Sequence, residues 1–208
     1  IRVFASLMAV GSEAEMNATD ADDISPFFTG GKESWIHSLT ALAAPHNGTT
    51  AYDSSSKDVD SAAYDMFIDH ALELNARMVT DENTYYFSIP CSSTVKNEDG
   101  TFKADRSKTE ILFQSSADEM GTLKGTTPNG FVVDESWFEN DGLVNTISSK
   151  APSSAPSKEF DKDNITSGIW NIMPVYQGDH MSLQGGLFMV NTDVFRLYNE
   201  HLNMINSL

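Results

Sequence analysis

Two short stretches of this 208-residue sequence carry residue types that could do chemistry together: Glu139-Asn140-Asp141-Gly142-Leu143-Val144-Asn145-Thr146 and, later, Gly178-Asp179-His180. Asp141 follows a bulky apolar patch and precedes a glycine, and His180 follows a short apolar run and a loop glycine. An acid on one loop and a histidine on a later one suit the last two members of a serine-type hydrolytic system. There a hydroxyl attacks, the histidine takes its proton and returns it to the leaving group, and the carboxylate fixes the histidine tautomer and stabilises its charged form. The chain order, acid before base, is the one used when the serine comes first.

The first member is absent. No Gly-x-Ser-x-Gly occurs, and Ser12, Ser38, Ser54 to Ser56, Ser92, Ser93, Ser115, Ser116, Ser148 and Ser149 lack the glycines a tight strand-to-helix turn needs. Zinc-hydrolase chemistry has no support either: the five histidines are scattered, without a His-x-x-x-His or His-Glu pair. No Walker or dinucleotide glycine pattern is present.

The elements that must position Asp141 and His180 read as alternating strands and helices. Residues 1–10 read as a helix with Ile1, Phe4, Ala5 and Met8 on one face, followed by polar loop over Asn17 to Asp23. Trp35 to Ala44, bounded by Gly30-Gly31 and Pro45, fits a buried strand of a parallel sheet. The loop at its carboxyl end holds His46, which either lies near a ligand site or braces the loop by bonding to backbone. Ala51 to Ser61 is polar. Tyr64 to Val79 predicts a helix striped by Phe67, Ala71, Leu74 and Met78, with His70 at its boundary. Thr84 to Ile89 is a strand ended by Pro90, Asn97-Glu98-Asp99-Gly100 a turn or hairpin tip, and Thr109 to Thr127 is ambiguous, with Gly121, Gly125 and Pro128 arguing for irregular structure. Lys150 to Lys158 reads as surface loop, Gly168 to Met173 as a strand, and Asp193 to about Asn206 as a helix capped by Asn191 or Thr192 with Val194, Leu197, Tyr198 and Ile205 facing inward. The expected fold class is α/β with a mostly parallel sheet flanked by helices, of which about three strands are visible.

Composition narrows the partners. A formal charge of −17 repels phosphate backbones and argues against nucleic acid. At 40% hydrophobic residues the chain can build a real core, and no apolar run is long enough to span a membrane. The single cysteine, Cys91, excludes an internal disulfide and reads as a small buried hydrophobe.

Five strings in one order carry a resemblance over nearly the whole chain: Ile24-Ser25-Pro26-Phe27-Phe28-Thr29-Gly30-Gly31-Lys32, Leu39-Thr40-Ala41-Leu42-Ala43-Ala44-Pro45-His46-Asn47-Gly48-Thr49, the Asp141 motif, Gly168-Ile169-Trp170-Asn171, and Asp179-His180. The chain resembles the bacterial secreted triacylglycerol lipases of the staphylococcal and thermophilic Bacillus-relative type. That resemblance implies an α/β-hydrolase fold, hydrolysis of acylglycerol or other esters, secretion, and contact with a lipid interface. It places the acid role on Asp141 and the base role on His180. It also implies that the serine lies upstream of Ile1, so residues 1–208 are expected to form one N-terminally incomplete domain, similar to the C-terminal half of such a lipase and inactive alone. Only Ala51 to Ala63 fills the place of the family's long insert, so no family-type lid and no zinc are expected. The family's calcium site uses acids soon after the catalytic histidine. Here Ser182 and Gly185-Gly186 stand there, so the calcium ligands are unmatched; calcium stays possible through nearby backbone oxygens, bound weakly, and no cofactor is assigned. The alternative is a non-catalytic, hydrolase-derived binding or interaction module.

Overall fold

The chain runs through α1 (Arg2–Val10), α2 (Glu13–Ala18), β1 (Ser38–Leu42), α3 (Ala62–Asp65), α4 (Ile68–Arg77), β2 (Tyr85–Ile89), β3 (Cys91–Ser92), β4 (Thr94–Lys96) and β5 (Phe102–Ala104). It continues through α5 (Ile111–Met120), β6 (Gly125–Thr126), β7 (Val132–Val133), α6 (Thr146–Lys150), β8 (Ser157–Glu159), β9 (Trp170–Ile172), β10 (Tyr176–Gln177) and α7 (Asp193–Ile205). The computed structural model describes residues 1–18, 20, 22–52 and 61–208. The expected polar segment at 51–61, where a family lid would begin, lies mostly outside the described residues.

A parallel sheet of order β1-β2-β9-β8 sits at the centre. Both of its faces are covered, and the side chains alternate accordingly. Leu39, Ala41, Tyr86 and Trp170 form one buried cluster, against which Ala5 of α1 packs. On the opposite face Phe87 meets the His201 ring of α7 edge-on at 5.0 Å, and Thr40 Oγ1 lies 2.7 Å from His201 Nε2. Phe87 and Trp170 are fully buried, and burying a ring of that size contributes on the order of 2–3 kcal/mol.

Two prolines interrupt the sheet without ending it. Proline has no N–H to give to a ladder, so Pro90 and the chain at Pro174 break the β2–β9 pairing. Parallel pairing resumes just beyond, between β3 and β10, and Tyr176 N donates to Pro90 O at 2.7 Å. The expected strand at Gly168 to Met173 is therefore β9, and the extended chain past Pro90 carries on toward the Asp141 and His180 loops.

Several expectations need correction. The Lys150 to Lys158 loop ends in β8, a strand parallel to β9, so the sheet has a fourth strand. The Ser-Lys-Glu sequence of β8 is polar because an edge strand keeps one face wet. Trp35 lies outside β1 in a 3-10 turn and is exposed. Thr109 to Thr127 is not irregular. It contains α5, whose first residues Ile111 and Leu112 are exposed and whose buried side is Phe113, Ala117 and Met120; outward apolar residues hid the helical period. The helix predicted over Tyr64 to Val79 is broken at Phe67, whose backbone is extended. The break admits the His46 loop: Thr49 N donates to Met66 O at 2.9 Å, and a Cβ on Gly48 would lie 2.5 Å from the Ile68 Cα. In α1 the buried residues are Ser6 and Met8, while Ile1 is exposed and Phe4 packs on Phe27 and Phe28. The hairpin of β4 and β5 turns at Gly100 as expected.

Candidate functional site

The Asp141 loop is shaped by the amides that flank it. Asn140 Oδ1 accepts from Gly142 N at 2.8 Å, while its Nδ2 donates to Phe138 O at 2.9 Å and Ala117 O at 3.1 Å. Asn145 Nδ2 donates to Trp137 O at 2.6 Å and Thr50 Oγ1 at 2.9 Å, and its Oδ1 accepts from Thr50 N at 2.9 Å. Gly142 has φ +92°, and a Cβ there would fall 2.7 Å from the Phe113 Cβ, so only glycine fits. The loop turns tightly enough that Asp141 Oδ1 accepts from both Leu143 N at 2.9 Å and Val144 N at 2.7 Å.

The second oxygen of Asp141 faces His180. The two loops meet at the carboxyl end of the β3–β10 extension: the His180 loop leaves β10, with Gly178 N donating to Ser92 O, and the Asp141 loop packs against the chain just past β3, with Ser93 N donating to Asn140 O, each at 3.0 Å. There His180 N donates to Asp141 O at 3.0 Å, and Nδ1 lies 2.9 Å from Asp141 Oδ2. Asp141 is 1% exposed and the His180 side chain 23%. An ionised carboxylate only accepts, so the Nδ1 proton belongs to His180, and the neutral ring leaves Nε2 as a lone-pair acceptor. No group among the described residues hydrogen-bonds Nε2. Burial of the ring disfavours its protonation. The Asp141 hydrogen bond and charge, joined by the Asp179 charge, outweigh burial and raise the His180 pKa above its ordinary value. A basic, oriented imidazole with an open Nε2 can take a proton from a neighbouring hydroxyl or water and return it.

Serine side chains near the site do not complete it. Ser92 and Ser93 are buried with unpartnered hydroxyls, and Ser182 Oγ donates to Asp179 Oδ1 at 3.0 Å. His46 lies apart from the pair. Its ring is buried edge-on against Trp170 at 4.6 Å, its carbonyl accepts from Asn75 Nδ2 at 2.8 Å, and burial followed by the Arg2 charge lowers its pKa to about 3. It braces the loop through its main chain, and the ring itself makes no backbone bond through the buried Nε2. Cys91 is buried as expected, with its thiol pKa pushed well up by burial and by the Asp141 and Asp179 charges.

Two acids complete the surroundings: Asp179, named in the sequence motif without a role, and Glu110, which the sequence reading missed. Asp179 is buried; its Oδ2 accepts from Glu110 N at 2.8 Å and its Oδ1 from Met181 N at 3.1 Å. Glu110, just ahead of α5, is buried too, and its Oε1 accepts from the backbone N–H groups of Leu187, Phe188 and Met189. A glutamate directly followed by Ile111, Leu112 and Phe113 was the available signal, since a charge set into an apolar run must find partners.

These contacts do not fit a calcium ion. Ser182 is engaged by Asp179, and the 187–189 turn aims N–H donors inward where a cation needs oxygens. Among the described residues no group of three or more His, Cys, Asp or Glu side chains could hold a metal.

Comparison with known proteins agrees with this architecture. Lipase 2 of Staphylococcus aureus is 27% identical over the whole of this chain, which spans 37% of that relative. The lipase of Staphylococcus epidermidis is 26% identical over 89% of this chain and 33% of its own length. Among solved structures, EstA from Clostridium botulinum matches with TM-score 0.84 and 26% identity, over 98% of this chain and 61% of its own. The Staphylococcus hyicus lipase shares the fold at TM-score 0.81 and 22% identity, over 100% of this chain and 67% of its own. The family model described as "Lipase-like, C-terminal domain" matches residues 1–58 and 54–207, and the chain belongs to that family.

Proposed function

We propose that this chain supplies the acid and the base of a serine-type carboxylic ester hydrolase, a lipase or esterase acting on acylglycerols or related esters. Asp141 holds the Nδ1 proton of His180 and stabilises the charged ring, and His180 acts as general base and then general acid through Nε2. The nucleophile is a serine outside this chain, and residues 1–208 form one unit of a larger α/β-hydrolase domain. One observation carries the proposal: the 2.9 Å contact between His180 Nδ1 and a buried Asp141 carboxylate, with Nε2 open. The staphylococcal relatives, by their names lipases, support an ester substrate, and secretion is proposed on the resemblance of the sequence to secreted lipases. No helix among the described residues is long and apolar enough to cross a membrane. Contact with a lipid interface is supported by the exposed apolar residues of the 187–190 segment after His180.

The test is ester hydrolysis by this chain beside a version extended upstream to include a Gly-x-Ser-x-Gly segment. Activity is expected only from the extended protein, and it should vanish on His180→Ala. Robust hydrolysis by residues 1–208 alone would sink the outside-nucleophile assignment. An extended protein that folds and binds an ester without cleaving it would favour a non-catalytic binding module, a second reading motivated by the absence of any hydroxyl on Nε2 among the described residues.

A further inference from the structure

The segment after His180 has little to hold it. Of residues 181–192 only Leu183 is buried, while Phe188 is 75% and Val190 83% exposed. Hydrophobic burial therefore cannot fix the course of this turn, and polar contacts must do so. Within the segment, Gly186 N donates to Met181 O, Asn191 N donates to Gly185 O, and Asn191 Nδ2 donates to Ser182 O, each at 2.9 Å, so it closes on itself. A closed loop still needs a tie to the body of the protein.

Glu110 is that tie. It is 2% exposed, and its Oε1 accepts from Leu187 N at 2.6 Å, Phe188 N at 2.8 Å and Met189 N at 3.1 Å. Its own main-chain N–H reaches Asp179, whose carboxylate in turn holds Met181 N and Ser182 Oγ. His180 thus lies between two anchor points, residue 179 on one side and residues 187–189 on the other, and both lead to Glu110. Removing the carboxylate would release the second anchor and leave the N–H groups of Leu187, Phe188 and Met189 without that acceptor.

We propose that Glu110 is a positioning residue for His180: its buried carboxylate seats the 187–189 turn and, with Asp179, fixes the loop that presents the imidazole to Asp141. This deepens, and rests on, the assignment of His180 as base. Glu110 hydrogen-bonds neither His180 nor Asp141, so its effect reaches His180 through the loop. The second oxygen, Oε2, has no partner, so a glutamine can keep the Oε1 acceptor in place and place its amide nitrogen where no donor is met. Glu110→Gln should be mild and Glu110→Ala severe.

The experiment uses the isotope-labelled 208-residue chain and its Glu110→Ala and Glu110→Gln variants, with thermal unfolding to show that each is folded. Amide hydrogen exchange reads the turn, and nitrogen NMR against pH reads the tautomer and pKa of the His180 ring. In Glu110→Ala, exchange at Leu187, Phe188 and Met189 should quicken roughly 10- to 100-fold, as expected for losing hydrogen bonds to a charged group. The His180 pKa should fall back toward its ordinary value, and the Nδ1–H tautomer should lose its dominance. Glu110→Gln should restore most of both. Faster exchange at 187–189 with an unchanged His180 ring would show a merely structural role and overturn the proposal. If Glu110→Ala fails to fold, Glu110→Asp decides, because its shorter carboxylate cannot reach all three amides: faster exchange at 187–189 with a His180 ring identical to the parent would overturn the proposal. A parent protein whose neutral His180 ring carries its proton on Nε2 would overturn the base assignment itself, separately from Glu110.

Discussion

Asp141→Asn tests the candidate site with a change of a single atom. Asp141 accepts three hydrogen bonds, from Leu143 N, Val144 N and His180 Nδ1. The two backbone donors cannot turn away, because the Gly142 turn and the Asn140 contacts hold them. The new amide oxygen must therefore face Leu143 and Val144, which leaves the NH2 group facing His180. Two donors cannot meet, so the ring must give up its Nδ1 proton and carry it on Nε2 instead. That tautomer has no lone pair where a hydroxyl proton would be taken. Bonds to charged groups are worth about 1.5–3 kcal/mol and neutral ones about 0.5–1.5. Loss of the charge at three bonds should then destabilise the fold by about 3 kcal/mol, readable by urea unfolding.

The pH dependence follows with a definite sign. The His180 pKa is raised on folding, so the stability it contributes is fully present below the unfolded-state pKa near 6.5 and is lost as pH rises through the higher folded value. Asp141→Asn should flatten that component. Nitrogen NMR of the ring gives the decisive reading: Nδ1–H in the parent, Nε2–H in the variant. In a form that carries the nucleophile, kcat should fall by about 10⁴-fold, the loss seen when a triad aspartate becomes asparagine. A folded Asp141→Asn protein whose neutral ring still bears its proton on Nδ1 would refute the reasoning.

His46 predicts an acid-dependent weakness elsewhere. Its folded pKa is lowered to about 3, so the unfolded chain binds the extra proton first, and stability should fall as pH drops from about 6.5 toward 3, by a few kcal/mol. His46→Phe keeps an aromatic edge on Trp170 and should remove that slope; a slope unchanged in the variant would refute the assignment. Cys91 is buried with a raised thiol pKa, so a thiol reagent should leave the native protein unlabelled and react stoichiometrically once urea unfolds it. Rapid labelling without denaturant would contradict the burial.

The parts of the fold visible in the sequence are those that bury both faces. Tyr85 to Ile89 and Trp170 to Ile172 are aromatic and β-branched runs closed by proline, and both are strands where expected. β8 was hidden because a three-residue polar edge strand owes its existence to its neighbour and not to its own composition. α5 was hidden because Ile111 and Leu112 point outward, which spoils the periodic pattern. Asp141 and His180 could be named because a glycine turn and an Asp-His pair are local strings. Their meeting across two loops, and the participation of Glu110, depend on contacts between segments far apart in the chain, which spacing alone does not encode.

The Asp141–His180 pair is joined twice, once by main chain and once by side chain. A ring held by both has surrendered its rotational freedom during folding, together with the roughly 1 kcal/mol of side-chain entropy such ordering removes. A hydroxyl arriving at Nε2 need not wait for the imidazole to find its angle. In effective-molarity terms, the proposed acid and base are already placed against each other before any third group or ester is present. On the proposed assignment, what the rest of the enzyme must add is an accurately aimed hydroxyl and a stabilised oxyanion.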